Sequence, residues 1–383
     1  MKIAFICGCT EPGAGGVGDY TLLLAESLST RGNQCYVIAL NDQHVDALSI
    51  SSLSTANGYG LSSLRIPASV PWQTKAKILS EELKLFKPDW ISLQYVPYAF
   101  NRKGLPWRLF PCLAASRSLA SWHLMAHELW VDPEGSLKNR FLALMQKKLL
   151  QLLIEYLQPL VLHTSNDYYI RLLSSISTRP SLLPLFTTIS VQAIEHVSAP
   201  AEEGLRFILF GSIHKEWDPS SLLEELKQIA LELRIPRLTF VSIGSSGEYG
   251  RDLWVRLAST MPVWMQFIQL GVLPAREISL QLQYSNFGIT STPSHLLGKS
   301  GSVTAMLAHG LSVIVPRIEK TDGPWHQSLQ NDDRFISLDS RFAERLIHAS
   351  RTPRTANNSV HSSLDKQLDV TSELYLQSLL SVE

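Results

Sequence analysis

The sequence contains few cysteines, no excess of either charge and no long apolar run. Its 383 residues include only four cysteines, too few for a disulfide scaffold. Cys7 and Cys9 have neither the CxxC spacing of a redox site nor zinc-ligand partners nearby, so we expect free thiols in a reducing compartment. Lys and Arg number 34, as do Asp and Glu. This balance gives no global attraction to nucleic acid or anionic lipid, although it is compatible with a local basic cleft.

The lack of long apolar segments predicts a cytoplasmic protein. Only residues 3–7 are apolar at the N-terminus, whereas a signal peptide needs an apolar stretch of about 7–15 residues. The longest apolar candidate, residues 149–162, has polar interruptions and is shorter than the ~20 residues of a membrane span. We therefore expect no transmembrane segment.

One cluster is compatible with peripheral contact at the inner face of a membrane. Trp107, Leu109 and Phe110 lie beside Lys103 and Arg108. Single exposed apolar residues are common on globular proteins, so a packed surface loop explains the same pattern.

Motifs of several enzyme classes are also missing. The sequence has no GxSxG nucleophile elbow and no P-loop, and Val131 breaks the HExxH zinc pattern after His127. Asp332 and Asp333 follow an asparagine and predict a turn rather than a metal pair at a strand end. We predict no metal site.

Strands and helices alternate along the chain. Short apolar runs predict strands at residues 3–6, 35–40, 90–93, 122–125, 160–163, 206–210, 238–243, 267–270, 287–290 and 312–315. Helical spacing of apolar residues predicts helices at 20–30, 75–86, 110–119, 137–157, 220–233, 302–309 and 362–380. This alternation predicts an α/β fold, with parallel sheets covered by helices on both faces.

The length and a break in the pattern predict two Rossmann-like domains. Residues 197–204 are small, polar and proline-containing, as in a linker. We predict an N-terminal domain at 1–195, a C-terminal domain at 205–360, and a last helix within 361–383 that could return to the N-terminal domain. Doubly wound domains bind ligands at the carboxyl ends of their strands, so the loops after strands are the candidate sites.

The first such loop is rich in glycine. Gly15, Gly16 and Gly18 precede Asp19 and Tyr20 at the start of the first helix. Glycine lets a ligand approach backbone N–H groups at a helix N-terminus. The pattern is not GxGxxG, and a tight turn that needs glycine for its geometry is the alternative.

A second loop, before the helix at 302–309, suits a phosphate or diphosphate. It contains Gly298, Lys299, Ser300, Gly301 and Ser302. Backbone N–H groups, a lysine and two hydroxyls there converge at a helix start. A serine N-cap with a solvated lysine is the alternative.

A third loop follows the strand at 206–210. Gly211, Ser212, His214 and Lys215 stand there, and the histidine and lysine could face an anion. A solvated loop in which Trp217 packs on the next helix explains the residues equally.

Further polar residues follow two strands of the first half. His127 and Glu128 suit acid–base work or a bond to a sugar hydroxyl, while a structural histidine is the alternative. Gln94 and Tyr98 suit a polar, ring-shaped acceptor, or a rigid loop packed on the sheet.

In combination, these segments resemble GT-B glycosyltransferases of the retaining family 4 type. The resemblance rests on residues 3–6 with the glycine loop 15–20, on the strand 207–211, and on the segments 293–298 (PSHLLG) and 308–314 (AHGLSVI). It covers most of the chain at the level of the fold and implies two Rossmann-like domains that face a central cleft.

The resemblance implies a hexosyltransferase that moves a sugar from a nucleotide-diphosphate donor to a hydroxyl acceptor. The acceptor, a glycan, lipid or small molecule, would bind Gly15, Gly16, Gly18, Asp19, Tyr20, Gln94 and Tyr98. The donor would bind Gly211, Ser212, His214, Lys215, Gly298, Ser300, Gly301 and Ser302. The catalytic residues would be His127, Glu128 and Lys299. The nucleotide sugar is a co-substrate, and no further cofactor, metal or nucleic acid is expected.

The sequence also departs from the family pattern. The two glutamates of its E-x7-E motif fall on Leu297 and Ala305, and an arginine of the family falls on Ser212. Either Lys299 and Ser300 hold the diphosphate in a divergent transferase, or the protein is a non-catalytic module that binds a sugar, a nucleotide or a partner. A phosphorylase or epimerase on the same fold is a further alternative.

Overall fold

The computed structural model describes residues 1–54, 60–133, 136–177, 179–192, 204–318, 332–351 and 362–382. The chain forms two compact units. The N-terminal unit comprises Met1–Pro184 and Leu368–Glu383, and the C-terminal unit comprises Leu185–Gln367. The linker predicted at 197–204 falls, except for Gly204, outside the described residues.

The N-terminal unit contains a mixed sheet in the order β3-β4-β2-β1-β5-β6-β7-β8. Its strands are β1 Lys2–Cys7, β2 Gln34–Asp42, β3 Ser49–Ser54, β4 Gly60–Pro67, β5 Trp90–Tyr95, β6 Ser121–Ala126, β7 Val161–Thr164 and β8 Pro180–Leu182. All neighbouring strands are parallel except β3, which pairs antiparallel with β4. The central strands β1, β5 and β6 are almost fully buried, as their largely apolar sequences indicate.

Helices cover this sheet between successive strands. They are α1 Gly16–Thr30, α2 Trp72–Phe86, α3 Pro97–Phe100, α4 Leu109–Leu113, α5 Leu137–Leu157 and α6 Asp167–Leu173. The predicted bounds of α5 are confirmed. Its start follows from Ser136, whose Oγ accepts a hydrogen bond from the Asn139 amide at 3.1 Å. Its end follows from Gln158, which adopts a left-handed conformation with φ of 49°.

One sequence-based prediction for this unit was wrong, and one pair of strands was missed. The helix predicted at 110–119 is much shorter, since α4 ends at Leu113 and passes into a 3-10 turn at Ala114–Ser116. The pair of strands β3 and β4 was not predicted at all. Adjacent serines interrupt the apolar residues of both strands, and β3 lies at the edge of the sheet, where little apolar surface is needed.

The C-terminal unit contains a parallel sheet in the order β11-β10-β9-β12-β13-β14. Its strands are β9 Leu205–Phe210, β10 Leu238–Ile243, β11 Met265–Gly271, β12 Phe287–Ile289, β13 Ser312–Val315 and β14 Phe335–Ser337. Its helices are α7 Ser220–Glu232, α8 Gly247–Thr260, α9 Ala275–Tyr284, α10 Gly301–Ala308 and α11 Phe342–Arg351. One face packs on α7, α8 and α11, and the other packs on α9 and α10. The predicted α/β class with Rossmann-like layers is confirmed.

The last helix, α12 Ser362–Leu380, packs with the N-terminal unit from Leu368 onward. Tyr375 is fully buried, and its ring stacks on Phe5 of β1 at 5.9 Å between centroids. The Ser372 hydroxyl donates a hydrogen bond to Ser27 of α1 at 2.8 Å. Among the described residues, none of the helices combines the length and the apolar character that crossing a bilayer requires.

Candidate active site

The glycine-rich loop joins β1 to α1 at the carboxyl edge of the N-terminal sheet. Gly15 is the N-cap of α1 in an extended conformation, and no side chain caps this helix. The Gly13 amide donates a hydrogen bond to Asp19 Oδ1 at 3.2 Å, which closes the loop onto the first helical turn. Burial raises the pKa of the Asp19 carboxyl, and the bond from Gly13 partly offsets this effect. Asp19 therefore stabilises the conformation of the loop through this hydrogen bond.

The three glycines of this loop have different surroundings. A Cβ atom at Gly18 would lie 2.4 Å from the carbonyl oxygen of Cys9, so the close approach of helix and loop requires glycine there. A Cβ atom at Gly15 or Gly16 would meet no atom within 4 Å among the described residues. The tight-turn interpretation thus fits Gly18, while the surroundings of Gly15 and Gly16 leave room for a ligand.

The structure brings Tyr20, Gln94 and His127 together. The Tyr20 ring meets the His127 ring edge-on, with centroids 5.0 Å apart. His127 Nε2 donates to Gln94 Oε1 at 2.8 Å, and both side chains are buried. These residues come from α1, from β5 and from the loop after β6, which are adjacent at this edge. Residues predicted separately from the sequence therefore form one cluster.

A buried chain of hydrogen bonds continues from His127 into the sheet. Gln94 Nε2 donates to Ser92 Oγ at 2.7 Å, and Ser92 Oγ lies 2.7 Å from His123 Nδ1. His123 Nε2 lies 3.0 Å from His163 Nδ1. Because Gln94 Oε1 can only accept, His127 carries its proton on Nε2. The bonds that follow can be satisfied with all three histidines neutral, for example with each donor directed from His127 towards His163.

Burial explains why these histidines are neutral. It lowers the pKa of His127 to about 3 and the pKa of His163 to about 4. Burial, with the neighbouring His163 and His127, lowers the pKa of His123 well below its usual value. A base with a pKa of about 3 accepts protons poorly near pH 7. Of the two functional roles predicted for His127, accepting a hydrogen bond from a sugar hydroxyl at Nδ1 therefore fits better than proton transfer.

Two other predicted residues lie at the border of this cluster. Glu128 directly follows His127 and is half-buried. Tyr98 is 42% exposed, and its ring lies against Gly104, where a Cβ atom would approach it to 2.8 Å. Tyr98 is therefore held by the following loop while part of its ring stays open to a ligand.

The second group of predicted residues surrounds the start of α10 at the carboxyl edge of the C-terminal sheet. Ser300 is the N-cap, and its Oγ accepts a hydrogen bond from the Val303 amide at 3.4 Å. Ser300 Oγ also lies 3.0 Å from Ser302 Oγ. Gly211 has a φ of 99°, and a Cβ atom there would lie 3.4 Å from Ser302. The loop after β9 thus approaches the first turn of α10, beside the exposed Gly298 and Gly301.

Positive charge accumulates beside this helix start. Burial lowers the pKa of His214, and the charges of Arg317 and Lys299 lower it further. Arg317 contacts Glu216 at 3.1 Å and the Ser291 carbonyl at 3.4 Å, which places it next to the same loop. The sequence analysis missed Arg317. Its position two residues after β13, at the same edge of the sheet, was the available signal.

Lys215 and Ser212 line a different part of this edge. They border a cleft of about 530 Å³ together with the first turn of α8. Two carboxylates, Glu248 and Asp252, also line this cleft, which makes it less suited to a diphosphate than the Lys299 side.

The two positions of the missing family glutamates are apolar and buried. Leu297 and Ala305 pack into the core beneath α10, against residues such as Met306. No polar partner for the donor can come from these positions. Among the described residues, no group of three His, Cys, Asp or Glu side chains could hold a metal ion.

Solved structures share this fold at low sequence identity. No family model and no curated protein matches the chain. A glycosyltransferase from Rickettsia africae is 15% identical, with 99% of this chain and 98% of that chain covered and a TM-score of 0.60. The UDP-forming α,α-trehalose-phosphate synthase from Burkholderia vietnamiensis is 12% identical, with 99% and 98% covered and a TM-score of 0.60.

An epimerase is also similar over its whole length. The UDP-GlcNAc 2-epimerase from Neisseria meningitidis, solved with UDP-GlcNAc bound, is 10% identical, with both chains fully covered (100%) and a TM-score of 0.53. The chain has the GT-B fold. At these identities the similarity establishes the fold, and the activity must be argued from the residues themselves.

Proposed function

We propose that the protein is a glycosyltransferase which moves a sugar from a nucleotide-diphosphate donor to a hydroxyl acceptor. The observation that carries this proposal is the meeting of Lys299, Arg317 and the N-terminus of α10 at the carboxyl edge of the C-terminal sheet. A helix N-terminus and two cations together favour a group with more than one negative charge.

The same groups suit the chemistry of donor cleavage. Negative charge develops on the leaving diphosphate, and fixed cations and backbone N–H groups stabilise it without a metal ion. In this proposal Lys299 and the Gly301 and Ser302 amides contact the diphosphate, and Arg317 supports them. Metal independence and retention of configuration are part of the proposal.

The N-terminal unit supplies the acceptor site in this proposal. The open space at Gly15 and Gly16 admits the acceptor, and Asp19, Tyr20, Gln94 and Tyr98 shape the site. His127 accepts a hydrogen bond from a sugar hydroxyl at Nδ1, because its Nε2 proton is engaged by Gln94.

An epimerase is the second candidate, because an epimerase that binds UDP-GlcNAc shares the fold over its whole length. A transferase turns over the donor only with an acceptor, whereas an epimerase isomerises the donor alone. Mass-resolved and NMR analysis of the donor, incubated with and without an acceptor panel, separates the two.

The donor site is tested by calorimetry with UDP, GDP, ADP, CMP and their common sugar conjugates. We expect one nucleotide diphosphate to bind, and Lys299→Ala to weaken its binding about 10- to 100-fold, because a hydrogen bond to a charged group contributes about 1.5–3 kcal/mol. Lys227→Ala, which removes a lysine paired with Glu224 on α7, should bind as the wild type does. If no nucleotide binds at millimolar concentration, the donor site is wrong and the non-catalytic alternative is preferred.

A further inference from the structure

Helix α5 is apolar on two opposite faces. Its inner face is buried in the N-terminal unit and includes Ala143, Gln146, Leu149, Leu150 and Leu153. On the outer face Leu137, Phe141 and Leu144 follow one another at i, i+4 and i+7, and they are 81%, 66% and 66% exposed. The outer face of a helix in a globular protein is normally polar. Packing among the described residues therefore does not explain this outer stripe.

Basic residues flank the stripe. Lys138 and Arg140 are exposed on either side of it, and Lys148 continues it one turn later. At 100° per residue, Lys138 and Arg140 project to opposite sides of the line through Leu137 and Phe141. Residues 136–154 contain four Lys or Arg residues and no Asp or Glu. In a chain with equal numbers of basic and acidic residues, this segment therefore carries a local excess of positive charge.

The stripe ends where the helix becomes polar. Gln151 Nε2 donates to Glu155 Oε1 at 2.8 Å, and these residues occupy the same outer face two turns further on. The apolar and basic surface is thus confined to the first three turns of α5, roughly 18 Å of helix.

A second apolar and basic element is attached to the same helix. Gln146 Nε2, on the buried inner face of α5, donates to the Gly104 carbonyl at 3.2 Å, which ties that face to the loop before α4. That loop presents Trp107, 47% exposed, between the exposed Lys103 and Arg108. Residues 90–127 also contain four Lys or Arg residues and no Asp or Glu.

We propose that the outer stripe of α5 docks the protein on an anionic lipid bilayer. Leu137, Phe141 and Leu144 enter the boundary between headgroups and acyl chains, and the basic residues contact lipid phosphates. An apolar stripe without acidic residues and bordered by cations is the pattern that suits a negatively charged surface. This inference does not rest on the proposed transferase activity.

A second copy of the chain fits this surface less well. A two-fold contact through the stripe would bring Lys138 and Arg140 of one copy close to the same residues of the other. Helix α5 has no carboxylate before Glu155 that could neutralise them. The electrostatic repulsion favours an anionic partner over self-association.

The test measures co-sedimentation of the full-length protein with vesicles, without any nucleotide. We expect binding to vesicles of phosphatidylcholine with 30% phosphatidylglycerol, weaker binding in higher salt, and little binding to phosphatidylcholine alone, because the attraction of Lys and Arg to an anionic surface is screened by salt and absent on a neutral one. The double variant F141S/L144S should lose at least about tenfold in vesicle affinity. The variant K138E/R140E should lose binding to a similar degree.

The matched control is Leu231→Ser, which removes a leucine 62% exposed on α7 of the C-terminal unit and should bind as the wild type does. Thermal unfolding confirms that each variant is folded, as expected for exposed positions. Equal binding to neutral vesicles, or unchanged binding of F141S/L144S, would overturn the proposal. So would a wild-type dimer in light scattering that becomes monomeric in F141S/L144S, since the stripe would then be an interface between copies.

Discussion

Acidification from pH 7 to pH 5 should destabilise the N-terminal unit by several kcal/mol, because His123, His127 and His163 are buried in neutral form. In the unfolded chain each histidine takes up a proton as the pH falls through about 6.5. In the folded unit the pKa is about 3 for His127 and about 4 for His163, and that of His123 is well below its usual value. The unfolded state therefore binds more protons throughout this window, and the stability present above pH 6.5 is lost as the pH falls.

The size of the effect follows from proton linkage. Each histidine contributes at most about 1.4 kcal/mol per pH unit, so the three contribute at most about 4 kcal/mol per pH unit between pH 6.5 and the folded-state pKa values. Asp42, whose pKa is lowered to about 2 against burial by its bonds to Arg65 and to nearby backbone amides, adds to acid sensitivity only at lower pH. The interval from pH 7 to 5 thus lies above the range in which Asp42 contributes.

Hydrogen exchange of the β5 and β6 amides as a function of pH measures this dependence. His123→Phe should reduce the slope by up to about 1.4 kcal/mol per pH unit, although it also lowers stability at pH 7 because Ser92 and His163 lose a partner. The control is His348→Asn, which should leave the exchange of the β5 and β6 amides unchanged because α11 belongs to the C-terminal unit. A pH-independent stability of β5 and β6 would contradict the neutral, buried chain of histidines.

The second large effect is expected at the glycine-rich loop. Gly18→Ala should lower the free energy of unfolding by about 1–3 kcal/mol or more, because its Cβ atom would lie 2.4 Å from a backbone oxygen that cannot move independently. Gly16→Ala should leave stability unchanged or slightly raised, because the new methyl group meets no described atom and alanine favours the helix.

The two variants separate packing from ligand approach. Thermal unfolding gives their stabilities, and transfer assays at saturating donor give the KM for the acceptor. Gly16→Ala should raise this KM while the protein stays fully folded, if Gly16 faces the acceptor as proposed. A Gly18→Ala protein as stable as the wild type would contradict the packing role of Gly18. An active Gly16→Ala protein with an unchanged KM would contradict the placement of the acceptor at Gly16.

Much of the fold was predictable because buried parallel strands have short, largely apolar sequences. The strands around residues 3–6, 90–93 and 238–243 and the helix α5 follow directly from such runs and from helical spacing. The strands β3 and β4 were missed because a serine-rich edge pair depends on its neighbour β2 rather than on its own apolar residues. The helix at 110–119 was overestimated because helical spacing does not show where a helix breaks.

Less of the candidate site was predictable. Gln94, His127 and Tyr20 could be proposed because each stands at a strand end or a helix start. The buried chain of hydrogen bonds that continues from them could not be predicted. Ser92, His123 and His163 lie within strands, where sequence alone does not distinguish a polar network from isolated core residues. Arg317 was missed because a lone arginine after a strand has no motif to mark it.

The return of α12 to the N-terminal unit affects how the polypeptide acquires its structure during translation. A ribosome releases the strands of this unit from the N-terminus onward, and N-terminal domains generally fold first. Here the ring of Tyr375 packs against Phe5 and His123. Tyr375 is synthesised about 250 residues after His123, so these contacts can form only late in translation. A nascent chain arrested before α12 should therefore expose an apolar patch on a formed sheet, and chaperones that recognise such surfaces should hold it until the last helix emerges.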